Sequence, residues 1–339
     1  MNRKADLVVL YEHPEWQKPL FEALRRRGAG FEAFDLKSAV LSDRDVPAAP
    51  LYFNQASPSA YLRGHTRAVP FALALLEDLE CRGAKVLNGA AAFRLELSKM
   101  AQIGLMRRLG IPHPRTWIFN DPKALLRRAR ELPFPAVLKP NQGGSGARMV
   151  RLESLEELQA LLDRRPELWL PDNLLLLQEF LPHDDTDQGI VRIEFLGGEL
   201  LYAIRVVSAG SFNLCPSDVC NPECPAPQEP IGSTPQGPRF YPYFGVPKEA
   251  LATGRALFRA AGLDVGAVEY LETTDGRRIF YDINANSNLR RSIGEAYGFD
   301  PFERVVDFLV QHLERATSRR RIRGARPHPD GHSLTFVVQ

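Results

Sequence analysis

Residues 6–11 set an apolar run behind a polar start, the pattern of a short buried strand, and His13-Pro14 breaks it. Over 17–27 the apolar positions Leu20, Phe21 and Leu24 recur at helical spacing. Gly28 and Gly30 close that helix, and a second strand begins at 31–34. Strand, helix and strand with a tight return predict a parallel α/β lobe. Strands at 51–53 and 85–88 continue it, with a helix over 65–80 between them. A further helix over 90–109 contains Lys99 and ends at Gly110-Ile111-Pro112.

The pattern then changes. A strand at 116–119, a helix from Asp121-Pro122, a helix opened by Ser154 and Glu157, and an apolar strand at 174–180 predict a compact α+β unit. From 190 the reading is antiparallel: strands at 190–196 and 199–207 around Gly197-Gly198, then at 267–272 and 277–283. Helices are expected over 248–261 and 302–316. Residues 208–245, rich in Pro, Gly, Ser and Asn, carry no period and read as a substrate-facing loop. The expected division is an N-terminal α/β unit at 1–112, a small unit at 113–181, a larger one at 182–316 and a basic tail at 317–339.

A formal charge of +2 on 339 residues gives no global reason to expect nucleic acid or an acidic membrane as partner. No segment reads as a signal peptide or reaches membrane-spanning length, and four cysteines fit a reducing compartment, so the chain reads as cytoplasmic.

Candidate chemistry sits in two places. Lys139-Pro140 leads into Gly143, Gly144, Ser145 and Gly146, where closely spaced glycines can turn backbone N–H groups toward phosphate oxygens while the lysine adds a cation. Neither a Walker A loop nor a dinucleotide fingerprint is present. Downstream, Glu269 lies on one strand and Asp282 and Asn284 alternate on the next. If the strands pair through 273–276, two carboxylates and an amide oxygen meet as a hard-oxygen site for Mg²⁺, with Mn²⁺ as a substitute. ATP–Mg²⁺ accounts for both features.

With these motifs the chain resembles the ATP-grasp superfamily, in the branch of ribosomal-protein glutamate ligases and related carboxylate–amine ligases. The resemblance covers about 85–310. It implies a three-lobed fold of α/β and α+β units with an N-terminal parallel α/β lobe. Leu97-Ser98-Lys99 and the following Gly110-Ile111-Pro112 match the helix and connector before the family's lid, which implies that Lys99 touches phosphate, and Lys139 resembles the second nucleotide lysine. Gln178-Glu179-Phe180-Leu181 resembles the adenine-gripping linker. Asn213 resembles an asparagine near the phosphates, and Asp187 substitutes for the ribose-facing acid where Ile190 stands. Arg192 and Arg205 resemble the arginines that bind the carboxylate and the developing oxyanion, and Glu269, Asp282 and Asn284 the metal set. Asp282 stands where glutamate is usual, and Ser287-Asn288-Leu289-Arg290 replaces a Ser-Pro-Gly.

The implied activity is ATP- and Mg²⁺-dependent activation of a carboxylate as an acyl phosphate, then attack by an amine or thiol. The partners would be a small carboxylate and an amine or peptide acceptor, with self-assembly left open. A kinase of a small carboxylate, or a nucleotide-binding regulator without turnover, uses the same site. Cys215, Cys220 and Cys224 lack a close CxxC pair and read as loop cysteines, and Cys81 as a buried small hydrophobe. His13, Arg290 and Arg291 are open between substrate contact and structural roles.

Overall fold

The computed structural model describes residues 5–42, 49–144, 146–184, 189–208, 212 and 238–324, with side chains to residue 316. Ser145, Asp187, Asn213, Cys215, Cys220, Cys224, most of the 208–245 segment and the side chains of the basic tail lie outside the described residues.

The N-terminal unit runs β1 (Leu7–Tyr11), α1 (Pro14–Arg26), β2 (Phe31–Asp35), β3 (Leu51–Gln55), α2 (Ala68–Cys81) and β4 (Lys85–Leu87). Its strands form a wholly parallel sheet in the order β2-β1-β3-β4. β1 and β3 are buried on both faces, as central strands of a covered parallel sheet must be. Cys81, expected inside, is exposed at the end of α2.

The helix expected over 90–109 is two helices, α3 (Ala90–Glu96) and α4 (Lys99–Arg108). Ser98 breaks it by taking an extended conformation and capping α4: its hydroxyl accepts from Ala101 N–H at 3.2 Å and donates to Asn141 Oδ1 at 3.1 Å. Lys99 therefore stands at the helix start, its N–H on Asn141 O at 3.1 Å.

The middle unit comprises β5 (Thr116–Phe119), α5 (Pro122–Ala129), β6 (Ala136–Pro140), β7 (Val150–Leu152), α6 (Leu155–Arg164) and β8 (Leu175–Glu179), with an antiparallel sheet ordered β5-β8-β6-β7. It keeps its own core, from Leu125 and Leu138 to Leu158 and Leu177.

The third unit is a five-stranded antiparallel sheet, β11-β10-β9-β12-β13. It is built from β9 (Ile190–Leu196), β10 (Glu199–Val207), β11 (Arg239–Pro242), α7 (Lys248–Ala260), β12 (Val265–Glu272), β13 (Arg278–Asn284), α8 (Arg291–Ala296) and α9 (Pro301–Gly324). β11 and α8 were not expected; β11 falls in the segment read as aperiodic, where pairing with β10 supplies order that four residues cannot encode alone. Leu7, Leu24 and Phe53 of the first unit share one core with Ile204, Phe302 and Leu309 of the third. Among the described residues no helix is long and apolar enough to cross a membrane.

Asn88 clamps those two units. Its Nδ2 donates to Val265 O at 2.7 Å and Ala285 O at 2.5 Å, while its Oδ1 accepts from Asp264 N at 2.9 Å and Val265 N at 3.2 Å. A left-handed backbone, φ 53°, which asparagine tolerates better than most residues, aims the side chain there.

Candidate nucleotide and metal site

β12 and β13 pair with Glu269 opposite Asp282 and Ala267 opposite Asn284, so the two acids and the amide share one face. On the other flank of β12, Arg192 of β9 stands opposite Glu269. Alternation along β9 brings Glu194 to the same face. The result is a buried polar chain. Arg192 donates from Nε to Glu194 Oε1 at 2.6 Å and from Nη1 to Glu269 Oε1 at 2.7 Å. Ser287 Oγ donates to Glu194 Oε2 and lies 3.5 Å from Arg192 Nη2. Glu269 also accepts from Tyr281 OH at 2.8 Å and from Asn284 Nδ2 at 3.3 Å.

Burial alone pushes the Glu269 carboxyl upward, Arg192 pulls it back and the neighbouring Asp282 pushes it up again. Burial also opposes the Arg192 charge, but Glu194 and Glu269 outweigh it and hold the guanidinium charged. Tyr281, buried beside Glu269, has its phenol pushed well above the usual range.

Lys99 closes the other acid: its ammonium forms an ion pair with Asp282 Oδ1. Lys139 lies within β6, 5% exposed, and donates to Gln178 Oε1 at 3.0 Å. Burial, with Lys99 adding to it, lowers the Lys139 ammonium to about 8.

Two cavities meet at this lysine. One of about 150 Å³ is bordered by Lys139, Met149, Glu179, Phe180, Leu181 and Tyr281. The other, about 50 Å³, lies among Lys99, Lys139, Gly143, Gly144, Gly146 and Asp282. The larger has an apolar floor with polar groups at its edge, the form of a base-binding slot; the smaller is walled by two cations and the glycine turn. Gly146, at φ 68°, lies so close to Phe212 that a Cβ there would stand 1.4 Å from its carbonyl oxygen.

Among the described residues no group of three or more His, Cys, Asp or Glu could hold a metal. Two acids plus an amide lie below that count, yet their chemistry fits Mg²⁺, which takes one or two carboxylates and completes its shell with phosphate and water. The Lys99 ammonium on Asp282 is a cation standing where such an ion would bind.

The structure thus brings together Lys99, Lys139, Gly143, Gly144, Gly146, Arg192, Glu269, Asp282 and Asn284. It does not bring Arg205 to them. A β-bulge between Leu200 and Tyr202 shifts the register, so Arg205 pairs with Val191 and faces the opposite side, where its guanidinium lies 4.4 Å from the Tyr243 ring centre. Glu179 borders the larger cavity, but its Oε1 already accepts from Arg115 N–H at 2.8 Å. Arg192, expected to meet substrate, is enclosed by Glu194 and Glu269.

His13 caps α1, accepting from Trp16 N–H at 3.3 Å and stacking on the Trp16 ring. Arg291 bonds Asp300 at 3.1 Å, and Arg290 is fully buried against Phe240. Glu194, Tyr281 and Glu96 are members that sequence reasoning missed. Alternation from Arg192 would have found Glu194; the other two carry no local signal. Glu96, 3% exposed, accepts from Asn286 N–H at 3.0 Å, and burial raises its carboxyl to about 7.

No protein-family model matches the chain. Among curated proteins, a D-alanine–D-alanine ligase of Haemophilus influenzae is 27% identical over 131 residues, 37% of this chain and 40% of that one. The chain spans less than two thirds of the length of the curated relatives it matches first. Solved structures match far more of it. The ATP-grasp ligase PsnB, complexed with a phosphomimetic variant of its minimal precursor, Mg and ADP, superposes with a TM-score of 0.64 at 21% identity, covering 92% of this chain and 100% of that one. The D-alanine–D-alanine ligase of Bacillus anthracis complexed with ATP gives 0.65 at 12% identity, covering 94% and 100%.

Proposed function

We propose that this chain, which has the ATP-grasp fold and resembles its carboxylate–amine ligases, uses ATP to join a carboxylate to an amine. The observation that carries the reading is the convergence of Lys99, Lys139 and the glycine turn on the Glu269–Asp282–Asn284 set.

A carboxylate oxygen attacks the γ-phosphorus of ATP, the bond to the bridging oxygen breaks, and ADP departs, leaving an acyl phosphate. The amine nitrogen then attacks the carbonyl carbon, phosphate leaves with the bonding pair, and the amine proton passes to water or phosphate. Lys99, Lys139 and the N–H groups of the glycine turn offset phosphate charge. Glu269, Asp282 and Asn284 would hold Mg²⁺, which would supply further neutralisation of the phosphates. Phe180 and Leu181 floor the base slot. Arg192 orients Glu269 rather than reaching substrate.

PsnB has been solved in complex with a precursor peptide and several of the curated relatives are D-alanine–D-alanine ligases, so short peptides and free amino acids are the acceptors to try first. The test is to incubate the full chain with ATP, Mg²⁺ and carboxylate–amine panels and to follow ADP, phosphate and amide together. Amide formed in step with ADP and phosphate is expected. A stable phosphorylated product that persists with amine present overturns the ligase reading in favour of a kinase, and tight ATP binding without any product overturns it in favour of a regulator.

A further inference from the structure

The two acids assigned to the metal each carry a cation of the protein itself, yet the two cations differ in how they are compensated. Arg192 bridges Glu194 and Glu269, with Nε on one and Nη1 on the other. Glu194 is 1% exposed, and its second oxygen accepts from Ser287, which fixes it beside the guanidinium. Lys99 has one acidic partner in this group, Asp282, and both are partly exposed.

We infer that Glu194 cancels the charge of Arg192, which leaves Lys99 as the cation that a divalent ion exchanges with at Asp282. Glu194 is then a positioning residue for the metal, though it touches neither metal nor substrate. Without it the Arg192 charge would be spent wholly on Glu269, and the acids would keep little attraction for a second cation. With it, Glu194, Glu269 and Asp282 against Arg192 and Lys99 leave one net negative charge, and the neighbouring Lys139 and Glu96 contribute the same in every case. Released from Asp282, the Lys99 ammonium lies beside the small cavity at the glycine turn, where phosphate is expected. Metal arrival and phosphate contact become one exchange. The inference rests on the metal assignment made above.

The charge count fixes an order that a merely structural network would not produce. Mn²⁺ serves as the probe, with free ion read by electron paramagnetic resonance in the absence of nucleotide, so the readout is independent of turnover. Lys99→Met, which removes the competing cation, is expected to tighten Mn²⁺ binding by about tenfold or more, and Glu194→Gln to weaken it by a similar factor. Arg192→Met combined with Glu194→Gln removes both members of the self-cancelling pair. It restores the wild-type charge and is expected to bind within about threefold of wild type. Where Glu194→Gln alone leaves a buried charge too poorly matched to fold, Lys99→Met decides the exchange.

Equal Mn²⁺ affinity in wild type and Lys99→Met, or in wild type and a folded Glu194→Gln, overturns the exchange while leaving the metal site and the ligase reading intact. Absence of Mn²⁺ binding in all of them, with ADP added as well, overturns the metal assignment and the inference together.

Discussion

The buried ammonium of Lys139 rests on a neutral acceptor, the side-chain oxygen of Gln178 at 3.0 Å, while the nearby Lys99 opposes its charge. Its value of about 8 against an ordinary 10.5 sets two opposed pH dependences. In the unfolded chain this lysine keeps its proton to about 10.5 and in the fold it releases it near 8. The unfolded state therefore binds more protons between those values, and stability gains from this group as pH rises through them. Nucleotide binding runs the other way, because phosphate needs the ammonium. ATP affinity is expected to fall above pH 8 by up to about tenfold per unit, and Lys139→Ala to lose most affinity at every pH. Nucleotide titrations from pH 6.5 to 9.5 check this; a flat wild-type profile counts against it.

Glu96 makes a stability prediction of opposite slope. Its folded carboxyl holds a proton to about 7, whereas the unfolded one loses it near 4.5. The folded state binds more protons in that window, so this group's contribution declines as pH rises from 4.5 to 7 and is gone above it. Glu96→Gln is expected to match wild type near pH 4.5 and to exceed it by about 1–3 kcal/mol at pH 8. Denaturant unfolding at both pH values decides, and a constant difference between the two proteins would sink the idea.

Asn88→Ala removes four side-chain hydrogen bonds to residues 264, 265 and 285 and strands their backbone groups. A loss of about 3–5 kcal/mol in unfolding free energy is expected. Asn88→Asp should recover little, since an aspartate cannot donate to the carbonyls of Val265 and Ala285. A change below about 1 kcal/mol in the alanine variant would show that the shared apolar core alone docks the two units.

Gly146→Ala is expected to weaken ATP binding by about tenfold or more, through strain at positive φ and collision with Phe212. Gly143→Ala is the control: the nearest atom to its Cβ is Pro140 O at 3.9 Å, and affinity should stay within about threefold. Equal effects in the two variants would remove the close approach at Gly146 from the account.

Strand alternation was enough to predict that Glu269, Asp282 and Asn284 would meet, because face is set by parity once two strands pair. Arg205 was named by resemblance alone, and the strand register decides its face. Counted back through the Gly197-Gly198 turn, Arg205 falls on the Arg192 face, and the bulge after Leu200 reverses it. A bulge leaves no mark in a run as uniformly apolar as residues 200–204. The start of α4 was hidden for a related reason. Ser98 is tolerated inside a helix, and only Asn141, from another unit, turns it into a cap. Glu194, two residues after Arg192, was legible and overlooked; Glu96 was not, since its burial comes from Asn286 and the units that close around it.

Asn88 is followed by Gly89. In an open chain the nitrogen of a following glycine attacks an asparagine side-chain carbonyl readily, because no side chain hinders ring closure, and ammonia is lost. In the fold the Asn88 amide is pinned at both ends between strands and cannot reach that geometry. Each excursion to the open chain exposes the dipeptide. Once the amide becomes aspartate or isoaspartate, the donors to Val265 and Ala285 are gone and the two units cannot dock as before. The residue that joins them is thus also a chemical clock: the molecule ages by the time it spends unfolded, not by the time since it was made.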